Sequence, residues 1–89
     1  MLSLYILNVK LIAQNIEYYI AMEIFATRLT DLRNEKHLSQ AQLAKMIGSS
    51  CSIVCYWETN RSEPTAPYLV KLADIFDVSI DYLLGRKEF

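Results

Sequence analysis

The 89-residue chain is long enough for one small domain, and hydrophobic residues make up 53% of it. With only two glycines and two prolines, the composition is typical of a helix-rich globular protein and excludes a disordered chain. The formal net charge is −1, so any affinity for nucleic acid must come from locally placed positive charge and from helix N-termini.

The N-terminal segment, residues 1–23, is apolar without a single clear periodicity. Alternate apolar residues at its start favour a strand, whereas the spacing of Val9, Ile12 and Ile16 favours a helix. We expect a helix here, with an extended arm or a hairpin as the alternative. Polar and charged residues such as Lys10 interrupt the run too early for a membrane-spanning helix. No positively charged region precedes it, which argues against a signal peptide.

From about Ile24 onward, residues that typically start and end helices occur at regular intervals. A first helix is predicted over residues 24–36, where apolar residues recur on one face. Ser39 is expected to cap a second helix, because Gln42 lies three residues on and completes a capping box. Gly48 is the natural end of that helix.

Ser49 and Ser50 can cap a third helix over about residues 51–58, with Trp57 facing the core. The polar segment 59–64 ends in proline and is predicted to be a loop. Two further helices follow this loop.

Thr65 is expected to cap the fourth helix, which ends near Phe76. Ser79 should cap a short fifth helix that Gly85 terminates. Helices of this length with short connections predict an all-α, compact five-helix domain with no sheet. The expected division of the chain is an apolar extension (1–23), a helical domain (24–85) and a C-terminal tail (86–89).

Cys51 and Cys55 lie four residues apart on the predicted third helix. Two cysteines are too few for a disulfide framework, and the further ligands of a zinc site are missing, so no metal or other cofactor is expected. We expect two reduced thiols in a cytoplasmic protein, with redox sensing or metal binding as the alternative.

Three parts of the chain together resemble a known family. They are LSQAQLAKMIGSSCSIVCYWE (Leu38–Glu58), the Glu63-Pro64 pair and KLADIFDVSIDYLLG (Lys71–Gly85). In this order and spacing they are similar to the lambda-repressor and Cro-like helix-turn-helix proteins, also called the XRE family. The resemblance covers about Phe25 to Gly85 and implies a lambda-repressor-like DNA-binding domain whose third helix enters the major groove.

The resemblance also implies contacts with the DNA backbone. Gln40 would contact phosphate and sometimes a base, and Ser50 would cap the recognition helix and touch phosphate. Asn60 and Arg61 match a loop that contacts the backbone, although Asn60 stands where the family often has glycine. Helix N-termini bind phosphate oxygens, and arginine pairs with them in bidentate fashion, so the implied roles suit these residue types.

For base readout, the resemblance points to Cys51, Ser52 and Tyr56, with Cys55 beside them. Cys51 replaces an arginine or glutamine that is common in the family, and the predicted recognition helix carries no arginine or lysine. Bidentate readout of guanine by this helix is therefore excluded. Readout has to use the Ser52 and Tyr56 hydroxyls, contact with thymine methyl groups and the shape of the DNA.

Arg33 and Glu58 match a pair that bridges the first and third helices in many family members. We expect it to act as a structural clamp, whose loss would leave a partly buried charge without its partner.

The implied function is a DNA-binding transcriptional regulator of the repressor type, which reads a pseudo-palindromic operator as a homodimer. A catalytic role is not expected, because no nucleophile–base set or phosphate loop is visible. Neither a membrane nor a small-molecule substrate is expected as a partner. The alternative is a protein-interaction module, antitoxin-like or a prophage accessory protein, with weak DNA affinity. Residues 1–21 either form a dimer contact or reflect an upstream start codon before Met22.

Overall fold

The computed structural model describes residues 2–89, with the side chains of residue 13 and residues 15–89. Within this range the chain is entirely helical, without a strand, as the sequence predicted. The five helices are α1 (Leu2–Glu35), α2 (Gln40–Ile47), α3 (Cys51–Glu58), α4 (Ala66–Phe76) and α5 (Ile80–Leu83). None of them, within the described residues, combines the length and the apolarity that crossing a bilayer requires.

Helix α1 begins at Leu2 and runs without a break for 34 residues, so the predicted helix start near Ile24 was wrong. Its sequence contains neither glycine nor proline, and nothing in it stops a helix that has started. Residues 2–23 of the apolar extension are helical, and the alternative of an arm or a hairpin does not apply to them. A separate role for residues 1–23 stays a prediction, because no structural boundary marks their end.

The core lies between the C-terminal half of α1 and the four shorter helices. Trp57 at its centre is only 2% exposed, as the sequence predicted. It meets Phe25 edge-to-face at 6.4 Å between ring centroids and lies against Tyr68 at 5.3 Å. The buried cluster comprises Phe25, Leu29, Leu43, Ala44, Ile47, Val54, Trp57, Leu72, Ala73, Phe76 and Leu83.

Side-chain caps define where most of the short helices begin. The Ser39 hydroxyl accepts from the Gln42 backbone N–H, and the Gln42 side chain accepts from the Ser39 N–H, which confirms the predicted capping box. The Ser79 hydroxyl accepts from the Tyr82 backbone N–H and so caps α5, as predicted. Thr65 is the N-cap residue of α4, as predicted, but its side chain makes no capping hydrogen bond. Pro67 in the first turn of α4 removes one of the N–H groups that such a cap would use.

The C-terminal tail is held against α1 by Arg28. Its guanidinium donates to the backbone carbonyls of Tyr82 and Lys87, the latter at 2.9 Å, and lies 4.2 Å above the Tyr82 ring. The contact fixes the end of the domain to the part of α1 that enters the core.

Gly48 and Gly85 have similar backbone conformations, so substituting each by alanine compares the loss of stability caused by a Cβ atom at the two turns. Both have φ near +70°, at +71° and +77°. We expect Gly48→Ala to lower the free energy of unfolding by about 1 kcal/mol through backbone strain alone, since its Cβ would meet nothing within 4 Å. At Gly85 a Cβ would come within 2.6 Å of Ile24 Cδ1, so Gly85→Ala should cost roughly 1 kcal/mol more. Equal losses in denaturant titrations would contradict this account.

Candidate nucleic-acid interface

Helices α2 and α3 are joined by a tight turn. Gly48 takes the left-handed conformation (φ 71°, ψ 37°) and ends α2. The Ser49 backbone N–H then donates to the Ala44 carbonyl at 2.8 Å, and the Ser50 side chain caps α3 by accepting from the Ile53 N–H. Because Leu43 and Ala44 on α2 are buried, and the inner face of α3 is buried too, the turn holds the two helices at a fixed angle.

The outer side of α3 presents the four residues assigned to base readout. Cys51, Ser52 and Tyr56 are exposed and Cys55 is half-buried, whereas Val54 and Trp57 point into the core. At 100° per residue the four outer residues share one face of the helix. The structure therefore brings them together on solvent-facing surface, and their contacts with bases stay a prediction.

The two cysteines are free thiols, Cys51 exposed and Cys55 half-buried. Among the described side chains, no three metal-ligating groups come together in a way that would hold a metal ion.

The loop after α3 carries the two predicted backbone contacts, both exposed. Asn60 has φ +59°, in the left-handed region that glycine adopts most easily and that asparagine tolerates better than most residues. This conformation explains why asparagine can stand where the family often has glycine. The Arg61 N–H donates to the Tyr56 carbonyl at 2.8 Å, which holds the backbone of the loop against the end of α3.

Arg33 and Glu58 form a bidentate pair between α1 and α3. Arg33 Nε lies 2.6 Å from Glu58 Oε2 and Nη2 lies 2.9 Å from Oε1, while Nη1 donates to the Leu38 carbonyl at 2.7 Å. The side chains are only 13% and 5% exposed. Burial acts to raise the pKa of the Glu58 carboxyl, but hydrogen bonds from Arg33 and Gln40 and the Arg33 charge outweigh it, so this pKa lies below its usual value. The hydrogen bond to Glu58 raises the pKa of Arg33 in turn.

Gln40 has a partner that the sequence did not reveal. Its Nε2 donates to Glu58 Oε1 at 3.3 Å, so the residue assigned to phosphate contact is also attached to the Arg33–Glu58 pair. The capping hydrogen bond uses only the Ser50 oxygen, which accepts from the Ile53 backbone N–H, so the hydroxyl hydrogen of Ser50 is not used by the cap. A hydroxyl in this position can donate to a phosphate oxygen.

The charges around α2 and α3 differ from those of the whole chain. Between residues 36 and 61 the basic residues are Lys36, Lys45 and Arg61, all exposed. The only acidic residue in that stretch is Glu58, which is already paired with Arg33. Residues 36–61 thus carry more positive than negative charge although the chain as a whole is at −1, and Glu63 lies just beyond this segment, in one cleft with Arg61.

A second link joins α1 to the loop after α3. The Tyr18 hydroxyl donates to the Glu63 carboxylate, and this hydrogen bond raises the pKa of the Tyr18 phenol. Tyr18, Asn60, Arg61 and Glu63 line one small cleft. Sequence reasoning missed this link because no local pattern connects residues 45 positions apart.

A tight turn between two packed helices, with a solvent-facing second helix, defines a helix-turn-helix domain. The helix-turn-helix family model matches residues 29–83, and the chain belongs to this family. It is 38% identical over 61 residues to the HTH-type transcriptional regulator AnsR of Bacillus subtilis, covering 68% of this chain and 53% of AnsR. It is 41% identical over 59 residues to the transcriptional repressor RstR of the cryptic phage CTXphi of Vibrio cholerae, covering 66% of this chain and 53% of RstR.

A solved structure shares the fold. It is the crystal structure of the c2 repressor of phage P22 in complex with a synthetic operator, with a TM-score of 0.67 and 32% identity. The match covers 71% of this chain and 96% of that one. The c2 protein of this Salmonella phage is itself 32% identical over 62 residues, covering 70% of this chain and 29% of the repressor. The chain spans about half the length, or less, of these curated relatives.

The Arg33–Glu58 pair can be tested by removing one charge. We expect Glu58→Gln to lower the free energy of unfolding by about 3 kcal/mol, because it leaves the partly buried Arg33 cation without its counter-charge. Glu35→Gln, which removes an exposed carboxylate from α1, should change it by less than about 0.5 kcal/mol. Urea titrations at neutral pH measure both, and equal effects would contradict a structural clamp.

The same pair should make stability depend on pH. Since the pKa of Glu58 is lowered by folding, its stabilising effect is complete above the unfolded value of about 4.3 and is lost as the pH falls through the folded value. The free energy of unfolding of the native chain should therefore fall more steeply than that of Glu58→Gln below about pH 4. Parallel curves would show that Glu58 does not titrate in this way.

Proposed function

We propose that this protein is a cytoplasmic DNA-binding regulator of transcription, of the repressor type, which reads a pseudo-palindromic operator as a dimer and catalyses no reaction. One observation carries the proposal above all. The outer face of α3 is solvent-exposed, the segment from residue 36 to residue 61 that contains it carries the exposed Lys36, Lys45 and Arg61, and the only acidic side chain in that segment is paired with Arg33. A surface of this kind attracts DNA even when the net charge of the chain is slightly negative.

The proposed contacts follow from the residue types on this surface. Arg61 and the Ser50 hydroxyl would bind phosphate oxygens, and Gln40 would do so while remaining hydrogen-bonded to Glu58. Such contacts position the protein but carry no sequence information. Sequence would be read by Ser52 and Tyr56, which are exposed on α3.

The readout is expected to be weak for a single domain. Helix α3 has no side chain that can bind guanine through two hydrogen bonds, which is the commonest specific contact in the major groove. Two copies, with recognition helices one DNA turn apart or a multiple of it, would multiply this modest selectivity. The synthetic operator bound by the phage P22 repressor in its crystal structure, and the repressor names of RstR and the c2 protein, support operator binding of the repressor type.

A protein-interaction module with little DNA affinity is the alternative. The uncharged recognition helix and the net charge of −1 favour it. A salt-titrated gel shift with DNA flanking the protein's own gene distinguishes the two functions. The regulator should bind, with an affinity that falls steeply with salt, whereas no shift at low salt by folded protein would favour the interaction module.

Substitution of Arg61 tests the proposed contacts with the DNA backbone. Arg61→Gln should weaken binding to all DNA sequences and reduce the slope of log affinity against log salt by about 1. Lys87→Gln, which removes an equally positive, exposed residue from the tail, should leave this slope unchanged. If both variants shift the slope alike, Arg61 acts through net charge and not through a phosphate contact.

Tyr56 tests base readout. Tyr56→Ala should reduce the preference for the operator over unrelated DNA by roughly 1–3 kcal/mol while changing the salt dependence little. Competition gel shifts measure this preference, with circular dichroism confirming that the variant is folded. Unchanged preference would show that Tyr56 does not read the operator.

A further inference from the structure

The N-terminal part of α1 presents an apolar surface that its own domain does not cover. Ile16, Tyr19 and Ile20 are 53%, 67% and 51% exposed. The contribution of α1 to the buried core begins only at Phe25. At 100° per residue, Ile16 and Ile20 lie on the side of the helix opposite Phe25 and Leu29. They therefore face away from the core of the same chain.

In the sequence, the apolar positions in register with Ile16 and Ile20 recur at alternating intervals of four and three. The series is Leu2, Ile6, Val9, Ala13, Ile16 and Ile20. It extends roughly 27 Å along the helix at 1.5 Å per residue. A seven-residue repeat is the pattern of a helix that packs lengthwise against another helix. The next position in the series is Glu23, so this apolar stripe ends where α1 joins the domain.

Charge placement indicates which helix would cover the stripe. Lys10 and Glu17 are the only charged residues before Glu23, and their positions lie seven residues apart on the same edge of the stripe. When two such helices pair antiparallel, like edges meet with the chain direction reversed, so Lys10 of each copy would face Glu17 of the other. In a parallel pair this edge would meet the opposite edge, which carries Ile12 and Tyr19 and offers no counter-charge.

A groove continues the stripe onto the domain. Its apolar lining is Ile20 and Ile24 from α1 together with Leu84 and Gly85, and Glu17 and Arg86 supply its charged lining. With a two-fold axis near residue 13, the first turns of a second copy's α1 would pass alongside Ile20 and Ile24. This groove would then receive the apolar start of the second helix.

We infer that residues 2–20 of α1 form the dimer interface of this protein, by antiparallel pairing with α1 of a second copy about an axis near residue 13. The inference rests on the dimer in the proposed function and names the surface that forms it. Helices in proteins take most of their stability from tertiary packing, and Ile16, Tyr19 and Ile20 are exposed in the single chain. Pairing would bury the stripes of both copies against each other and form two Lys10–Glu17 ion pairs between the copies.

The test is sedimentation equilibrium of the full chain without DNA. The native protein should be a dimer, and Ile16→Glu/Ile20→Glu should raise the dimer dissociation constant at least about 100-fold, since two charges then enter each half of the interface. Met46→Glu/Val70→Glu places the same two charges at exposed apolar sites of α2 and α4, and should dimerise like the native chain. Circular dichroism checks that both variants stay folded.

A charge exchange tests the antiparallel arrangement. Lys10→Glu alone and Glu17→Lys alone should each weaken dimerisation, because each brings like charges together across the pair. The combined Lys10→Glu/Glu17→Lys variant should recover native affinity. Failure of the combined variant to recover would overturn the antiparallel register.

Other outcomes would overturn the inference itself. A native chain that stays monomeric would overturn the dimer interface, and a monomeric chain that co-sediments with phosphatidylglycerol vesicles would show that the stripe binds a membrane surface instead. Normal dimerisation of the Ile16→Glu/Ile20→Glu variant would place the interface elsewhere. The test distinguishes this inference from the proposed function. A monomeric variant that still binds DNA in low salt would leave the DNA-binding function standing. A dimeric protein that binds no DNA would contradict that function but leave the dimer interface standing.

Discussion

The bidentate contact between Arg33 and Glu58 is the interaction on which the candidate interface depends. It joins the last turns of α1 to the last residue of α3, and both side chains are largely withdrawn from solvent. An ion pair in this position costs desolvation energy, so its value lies less in net stability than in the geometry that it imposes. Since Arg33 also holds the Leu38 carbonyl, the start of α2 is tied to the same point.

The pair also shapes the electrostatics of the surface. An unpaired carboxylate at the end of α3 would repel the phosphates that the neighbouring side chains are proposed to bind. Arg33 neutralises this carboxylate, and Gln40 shares one of its oxygens. The arrangement explains how a chain with more acidic than basic residues can leave positive charge around its helix-turn-helix. Net charge alone is a poor guide to DNA binding for a domain this small.

The long α1 gives this small domain a second surface. Its C-terminal half belongs to the core through Phe25 and Leu29, whereas Ile16 and Ile20, before that half, are exposed. One rigid helix therefore connects the proposed dimer contact to the domain that would meet DNA. Tyr18 adds a side connection, because it binds Glu63 in the loop that also holds Arg61. The orientation of two recognition helices in a dimer would follow from this rigid connection.

Sequence alone determined the features that arise from short-range interactions. The capping box at Ser39, the left-handed turn at Gly48 and the buried position of Trp57 were all predictable, because each depends on residues within about one helical turn or on a periodic pattern. The exposed position of Tyr56 agrees with the role that the family resemblance implied for it. The start of α1 at Leu2 was not predictable. No local sequence signal distinguishes the part of this helix that packs in the core from the part that precedes it.

Only the tertiary structure decided which distant side chains meet. The attachment of Gln40 to Glu58, the link from Tyr18 to Glu63 and the capture of the tail by Arg28 join residues 18 to 59 positions apart. Such contacts depend on how helices pack, and packing is set by the whole core at once. The sequence determined which helices form and which faces they bury, whereas packing determined how the clamp and the recognition helix are held together.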